Sequence, residues 1–194
     1  MEKLQKQVLE FHQAFDCVIN HKPTAIDPHV ARLRISLIEE EFNELIIALG
    51  FGRWGSGVIY NNPNSPLDLV EVADALGDLL YVIHGTAVSC GIDLEPITDE
   101  IHRSNMSKVF PDGSVQRRED GKILKPDNYS PANIEKLIQR QTDWWNFRRC
   151  SVLKSEIEAM AEGGEELSGT DIHREFDKLM AALPKAAQDA INEM

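Results

Sequence analysis

Apolar residues recur along the first hundred positions at the three- and four-residue spacing of amphipathic helices. This pattern predicts four helices, over about residues 2–20, 28–49, 66–89 and 93–108. Asp27 followed by Pro28 is typical of a helix start, and Gly50 and Gly91 are typical stops. The stretch 51–66 is rich in glycine and proline and predicts a loop long enough to cover a site. Four helices in so short a stretch indicate a helix bundle.

The pattern changes after Phe110. The turn dipeptides Asp112-Gly113 and Asp120-Gly121 predict a small hairpin or an ordered loop. Helical spacing returns over residues 131–160, glycines at 163, 164 and 169 indicate a linker, and residues 171–194 predict one or two short helices broken at Pro184. We therefore predict an all-α fold: a four- to five-helix bundle over residues 1–130 with a short loop or hairpin segment, then a helical C-terminal extension over residues 131–194.

Composition narrows the class of protein. The 194 residues carry a net charge of −12, which argues against general nucleic-acid binding. Cys17, Cys90 and Cys150 are isolated, and this spacing favours a reducing compartment over a disulfide framework. No run of about 18 apolar residues predicts a membrane span, and residues 1–6 lack an apolar signal core. We expect a soluble, cytoplasmic protein that binds neither membrane nor nucleic acid.

Two acidic stripes stand on the second and third predicted helices. On the second helix, Glu44 lies three and four residues after Glu41 and Glu40. On the third, the acids recur at i, i+3 and i+7, within roughly 60° of one another around a helix; they are Glu71, Asp74 and Asp78. Each stripe has the simple interpretation of a solvated helix face.

The sequence around the second stripe favours a metal site instead. The third helix is apolar nearly all round, from Leu69 to Ile83, so we expect its acids to be buried with it. Buried carboxylates repel one another unless a cation neutralises them. An all-oxygen set suits Mg²⁺, with Mn²⁺ as a substitute, and does not suit zinc. A di-iron bundle needs Glu-x-x-His motifs, which this chain lacks.

The spacing of these acids resembles a motif of a known protein superfamily. Glu41-x-x-Glu44 followed by Glu71-x-x-Asp74 resembles the paired motif of the all-α NTP pyrophosphatase superfamily, which includes MazG-like proteins, dimeric dUTPases and phosphoribosyl-ATP pyrophosphohydrolases. The segment Asp-Ala-Leu-Gly-Asp-Leu-Leu-Tyr and the later Asn-Met-Ser-Lys are similar to those of small MazG-like proteins. The resemblance covers about residues 1–130. In relatives the second aspartate often directly precedes the Leu-Leu-Tyr run, so Asp78 is a rival to Asp74.

The resemblance implies a MazG-like bundle that hydrolyses a nucleoside triphosphate between its α and β phosphates, in a homodimer or homotetramer. It implies Mg²⁺ ligands at Glu41, Glu44, Glu71, Asp74 and Asp78, with Glu40 or Glu41 activating the water. From Arg103 to Lys125 six basic residues outnumber three acids, although the whole chain is acidic. By the same resemblance, phosphate contacts fall to Asn105, Lys108, Lys122 and Lys125.

Two classes of function remain open from the sequence. The first is a nucleotide-pool or house-cleaning enzyme that acts on a canonical or modified nucleotide. The second is a non-catalytic helical oligomer that binds nucleotide or metal and acts as an interaction module. A P-loop NTPase is not supported because no Gly-Lys-Ser/Thr follows a glycine loop. His84 stands among apolar residues and is best interpreted as a core histidine.

Overall fold

The computed structural model describes residues 1, 3–55, 57–62, 66–162 and 171–193. Seven helices dominate this part of the chain, and a single two-stranded sheet accompanies them, which confirms the predicted all-α class and the helical C-terminal extension. The helices are α1 (Lys3–Ala14), α2 (Pro28–Ala48), α3 (Leu69–Cys90), α4 (Leu94–Met106), α5 (Ile134–Glu162), α6 (Asp171–Ala182) and α7 (Lys185–Glu193). The strands are β1 (Phe51–Trp54) and β2 (Val58–Asn61).

The chain divides into two compact units, Met1–His102 and Arg103–Met194. In the first unit, α3 packs against both α1 and α2, and the hairpin follows α2. In the second, α5 packs against α6 and α7. The domain boundary near residue 130 stays a prediction.

Local capping explains where α2 and α3 begin. The Asp27 carboxylate accepts a hydrogen bond from the backbone N–H of His29 at 2.7 Å, with Pro28 in the first turn, as the sequence predicted. The Asp68 carboxylate caps α3 in the same way by accepting from Val70 N at 2.8 Å. Both caps satisfy backbone donors that have no partner inside the helix.

The predicted first helix is too long: α1 ends at Ala14 rather than near residue 20. Asp16 has a φ of 52°, and this left-handed conformation turns the chain away. The following segment runs along the end of α3, where Asn20 N and Thr24 N donate to the carbonyls of Val88 and Cys90. Gly91 ends α3 with a φ of 68°, and a Cβ there would lie 2.0 Å from the carbonyl oxygen of Lys22. Only glycine fits this close approach.

The stretch 51–66 is an antiparallel hairpin over most of its described length, where the sequence predicted a loop. Phe51 pairs with Asn61, and Gly52 pairs with Tyr60. Arg53 fixes the hairpin to α2, since its Nη1 donates to Asn43 Oδ1 at 2.7 Å. The prediction failed because pairing between the two strands, rather than the local glycine content, decides strand formation here.

The second unit begins with the basic segment. Arg117 and Ile123 form an isolated antiparallel bridge around the Asp120-Gly121 turn, so the predicted hairpin or ordered loop is confirmed. Further on, α6 and α7 break at Pro184 as predicted, and they pack on α5 around Cys150, Leu153 and Ile191. The predicted glycine linker at positions 163, 164 and 169 lies outside the described residues.

Within the described chain, no single helix is long and apolar enough to cross a membrane; α3 and α4 meet that criterion only as a pair bent by 114°.

Candidate functional site: an acidic cleft between two helices

The acids of α2 lie where that helix packs on α3. Glu41 is half-buried, whereas Glu40 and Glu44 are exposed. All three lie on the long regular helix that the Asp27 cap begins, so their relative angles follow from helical spacing alone. Glu41 is therefore the member of the stripe that points most directly at the neighbouring helix.

The acids of α3 are exposed in this chain, and the expectation that they would be buried is wrong. Glu71, Asp74 and Asp78 all lie at the surface. The apolar positions around them are exposed as well: Leu69 and Val70 each keep 74% of their surface accessible. The sequence pattern of α3 is apolar, but the first half of this helix finds no cover within the described part of the chain.

Packing of α2 against α3 sets which acids meet. The end of α2 lies beside the start of α3, where Asp68 N donates to Ala48 O at 3.1 Å. From this point the two helices run in opposite directions. At the other end, Arg34 lies against Gly85. Residues seven apart return to nearly the same face of a helix after two turns. We call the line of contact between α2 and α3 the seam. Along the seam, residues spaced seven apart on one helix meet residues spaced seven apart on the other. The three successive layers pair Ala48 with Glu71, Glu41 with Asp78, and Arg34 with Gly85.

An open cleft of about 330 Å³ lies at the carboxylate end of this seam. Acids from both helices line it, together with apolar side chains from the end of α2. The lining residues are Glu44, Ile47, Ala48, Pro66, Asp68, Glu71, Asp74 and Ala75. Asp68, which the sequence did not single out, also caps α3 at this point.

Electrostatics confirm that the two stripes are close to one another. The pKa of Glu41 is raised, first by partial burial and then by the neighbouring charges of Glu44, Asp78, Glu40 and Asp74, in that order. Asp78 acts on Glu41 more strongly than Asp74 does, whereas Asp74 lines the cleft with Glu44 and Glu71. The two rival aspartates thus occupy different parts of one acidic site.

The donor set fits a hard divalent cation in its chemistry. Every candidate ligand is a carboxylate, and no side-chain hydrogen bond or ion pair occurs within the described residues for Glu40, Glu41, Glu44, Glu71, Asp74 or Asp78. No three acidic, histidine or cysteine side chains in the described chain converge closely enough to form a finished metal cluster. Glu44 of α2 lines the cleft with Glu71 and Asp74 of α3, and the roles of the acids as ligands stay predictions.

The basic candidates lie in the second unit and group around Tyr129. Lys108 Nζ donates to Asn105 Oδ1 at 2.6 Å, and Lys125 Nζ lies 4.3 Å from the centre of the Tyr129 ring. The pKa of Tyr129 is lowered, chiefly by its hydrogen bond with Ser104 and then by the charges of Lys125 and Lys108. Sequence reasoning missed Tyr129, because a lone aromatic residue in a loop carries no periodic signal.

The remaining basic residues of this segment differ in their surroundings. Lys122 is exposed at the Asp120-Gly121 turn, where its backbone N–H donates to the Asp120 carboxylate. Arg118 pairs with that carboxylate, and Arg117 Nη1 donates to Gly121 O at 3.0 Å. These two arginines stabilise the turn itself.

Comparison with known proteins identifies the family. Residues 8–105 match the family model of phosphoribosyl-ATP pyrophosphohydrolase. The chain belongs to this family. The matched residues include both acidic stripes and Asn105, whereas Lys108, Lys122 and Lys125 lie beyond them. The resemblance deduced from the paired motif is therefore confirmed.

Two individual proteins are similar to the chain. Uncharacterized protein L479 of Acanthamoeba polyphaga mimivirus is 27% identical over 155 residues, covering 76% of this chain and 53% of the relative. The chain thus spans about half the length of that relative. A crystal structure from Exiguobacterium sp. 255-15, described as a "putative NTP pyrophosphohydrolase", is 25% identical and covers 72% of this chain and 94% of its own, with a TM-score of 0.35.

The raised pKa of Glu41 predicts a pH-dependent cost in stability. A carboxyl whose pKa is higher in the folded than in the unfolded chain destabilises the fold once it ionises, so the cost appears as the pH rises through the folded pKa. Without metal, Glu41→Gln should raise the free energy of unfolding at pH 7 by less than about 1 kcal/mol, and the gain should vanish at acidic pH.

Urea unfolding in EDTA at both pH values measures this effect. Glu10→Gln, at an exposed position of α1, is the matched control and should change stability little at either pH. A gain of equal size at both pH values would show that charge repulsion is not its cause.

Proposed function

We propose that this protein is a nucleoside triphosphate pyrophosphohydrolase that cleaves between the α and β phosphates and releases a monophosphate and pyrophosphate. Membership of a pyrophosphohydrolase family supports the reaction class. The observation that carries the proposal is the cleft in which acids from α2 and α3 face one another without a cationic partner among the described residues. Such a site is suited to hold a polyphosphate through a bridging cation.

In this proposal, acids of the cleft and of the neighbouring part of the α2–α3 seam hold Mg²⁺, with Mn²⁺ as a substitute. The ligands are Glu41, Glu44, Glu71, Asp74 and Asp78. When bound, the cation supplies neutralisation of phosphate charge and orientation of the scissile bond. The chain's own contribution is to keep these carboxylates on two rigid helices, whose seam fixes the distance between the stripes.

Water activation falls to Glu40 or Glu41. The raised pKa of Glu41 makes its carboxylate a stronger base, and its half-buried position aims it toward the α3 acids. If Glu41 is engaged as a ligand, Glu40 remains as the neighbouring acid that can accept the proton. Cleft volume alone does not select the base or sugar, so the substrate panel includes canonical and modified nucleotides, dUTP and dCTP, and phosphoribosyl-ATP.

Removal of a cleft acid should abolish turnover. Glu44→Gln and Glu71→Gln are each expected to lower metal-dependent pyrophosphate release by about a hundredfold or more, since a ligand of the cation is lost. Glu10→Gln, outside the cleft, should keep the rate. Isotopically labelled water should place its label in the monophosphate if the α phosphorus is attacked.

Two results would contradict the proposed reaction. Release of inorganic phosphate and a diphosphate would contradict the cleavage position. Absence of turnover across the panel with Mg²⁺ and Mn²⁺, combined with unchanged metal binding in Glu71→Gln, would favour the non-catalytic nucleotide- or metal-binding module.

Four polar and basic residues of the second unit are proposed to contact the outer phosphates. Asn105, Lys108, Lys122 and Lys125 provide donors of the kind that stabilise charge on a leaving pyrophosphate. Lys108→Gln should raise KM by about tenfold, because it removes one charge-assisted hydrogen bond. Steady-state kinetics measure this, with Lys178→Gln, at an exposed position of α6, as control. Equal KM values for both variants would remove Lys108 from the substrate site.

We also propose that the protein is a homodimer or homotetramer. The exposed apolar positions of α3 beside the acids, including Val70 and Leu80, support this because their exposure in one chain costs free energy that a second copy would recover. Val70→Arg should therefore shift the sedimentation coefficient toward a monomer. Val115→Arg, at an exposed apolar position of the second unit, is the control. A wild-type protein that sediments as a monomer would contradict the proposal.

A further inference from the structure

One side of α5 faces solvent in the described chain, opposite the side that packs on α6 and α7. The packed side carries Cys150 and Leu153, which are fully buried. Trp144 and Val152, on the other side, keep 58% and 48% of their surface exposed. Trp144 still has a defined neighbour, because the guanidinium carbon of Arg148 lies 5.1 Å from the centre of its ring. Tryptophan and arginine are the residues that most often dominate the binding energy of protein interfaces.

The solvent-facing side of α5 has the spacing of a helix–helix contact. Its residues recur every three or four positions, so they form one line along a helix that is roughly 43 Å long. We call this line the α5 ridge; it consists of Leu137, Gln141, Trp144, Arg148, Val152, Ser155 and Ala159. The ridge is half-buried at its first two positions and exposed from Trp144 onward. It extends over about six helical turns, which is long enough for two helices to pack side by side.

The sign of the exposed charges reverses along α5. Three of the four exposed charged residues in its first half are basic, and both of those described in its second half are acidic. In chain order they are Glu135, Lys136, Arg140, Arg148, Glu156 and Glu158. Two copies of α5 side by side in the same direction would bring like charges together. The antiparallel arrangement instead places the basic half of each copy beside the acidic half of the other, and the helix dipoles favour it as well.

Arg140 and Glu158 show this complementarity most directly. They are roughly five whole turns apart, so they lie on the same edge of the α5 ridge. The same edges of two antiparallel helices face each other, and a two-fold axis midway between these residues sets Arg140 of each copy opposite Glu158 of the other. Trp144 then lies beside the second copy's Val152, so a large side chain meets a smaller one. Glu158 is open to such a partner, since 59% of its side chain is exposed.

We propose that α5 pairs in antiparallel orientation with α5 of a second copy of this chain, through the α5 ridge. The interface is isologous, because the same surface on each copy provides both the basic and the acidic half. It lies in the second unit, beyond the residues that match the family model. It is separate from the exposed apolar positions of α3 and does not depend on the proposed hydrolysis.

Sedimentation velocity of the full chain, over micromolar to millimolar concentrations, measures this association. Val70→Arg is the starting protein, since it is directed against association through α3 and leaves the second unit unchanged. It should still form a dimer as the concentration rises. Adding Trp144→Gln should raise the Kd of that dimer by about tenfold or more, because it removes the largest exposed side chain of the ridge. The Tm should stay the same, since Trp144 lies outside the core of the second unit.

Charge reversal is the decisive comparison. In the Val70→Arg background, Arg140→Glu and Glu158→Arg should each raise the Kd by about tenfold, because each sets like charges opposite one another at two symmetric places. A one-to-one mixture of the two variants should recover the starting affinity, since every pair across the mixed dimer is again of opposite sign. Glu135→Arg is the matched control. Glu135 lies roughly five turns before the buried Leu153, on the side of α5 away from the ridge, so its reversal should leave the Kd unchanged.

Each outcome decides the proposal. A Val70→Arg protein that stays monomeric throughout the concentration series would overturn it. So would a loss of association in the two charge variants that mixing does not restore, because the loss would then not come from pairing between copies. An equal loss in Glu135→Arg would assign the effect to net charge and would also overturn the proposal. If the wild-type chain and Val70→Arg sediment as the same dimer and mixing restores association, the α5 pairing holds and the α3 association fails.

Discussion

Antiparallel packing of α2 against α3 is the constraint on which the rest of the first unit depends. The two helices meet through residues spaced seven apart, so each two turns bring a new pair of side chains together. At one end of the seam the Ala48 carbonyl accepts a hydrogen bond from Asp68 N, and at the other end Gly85 leaves room for the side chains of Arg34 and His12. The layer between them holds Glu41 and Asp78. Charge repulsion in this layer is tolerated because Asp78 is exposed, so water screens its charge.

Acidic and basic side chains of the first unit lie in different layers of the seam between α2 and α3. Carboxylates dominate one half of the seam, where burial and then their charges raise the pKa of Glu41. An arginine occupies the other half, where burial first, and the arginine charge after it, lower the pKa of His12. Neither group is neutralised by the other, although both stand on α2. A chain of net charge −12 thus gathers carboxylates on one face that is suited to a cation.

Residues around the cleft also hold its helices and the neighbouring hairpin in place. Asp68 both caps α3 and lines the cleft, so the helix that carries three acids starts at the site itself. Arg53 ties the β1–β2 hairpin to α2 through Asn43, next to the acidic stripe. The family match covers this whole arrangement, from α1 to Asn105. The basic group around Tyr129 belongs to the second unit, where Lys108 and Lys125 organise around that ring.

The sequence by itself determined the class of fold, the caps at Asp27 and Gly91, and the spacing of the acids within each stripe, because helical periodicity and capping are local properties. It failed at the end of α1, where Phe15 and Val18 continue the apolar spacing although the backbone turns at Asp16. Only the tertiary structure decided that Glu41 faces Asp78, that the α3 acids are exposed, and that Arg34 is buried beside Gly85. The physical reason is that spacing fixes angles around one helix but not the register between two.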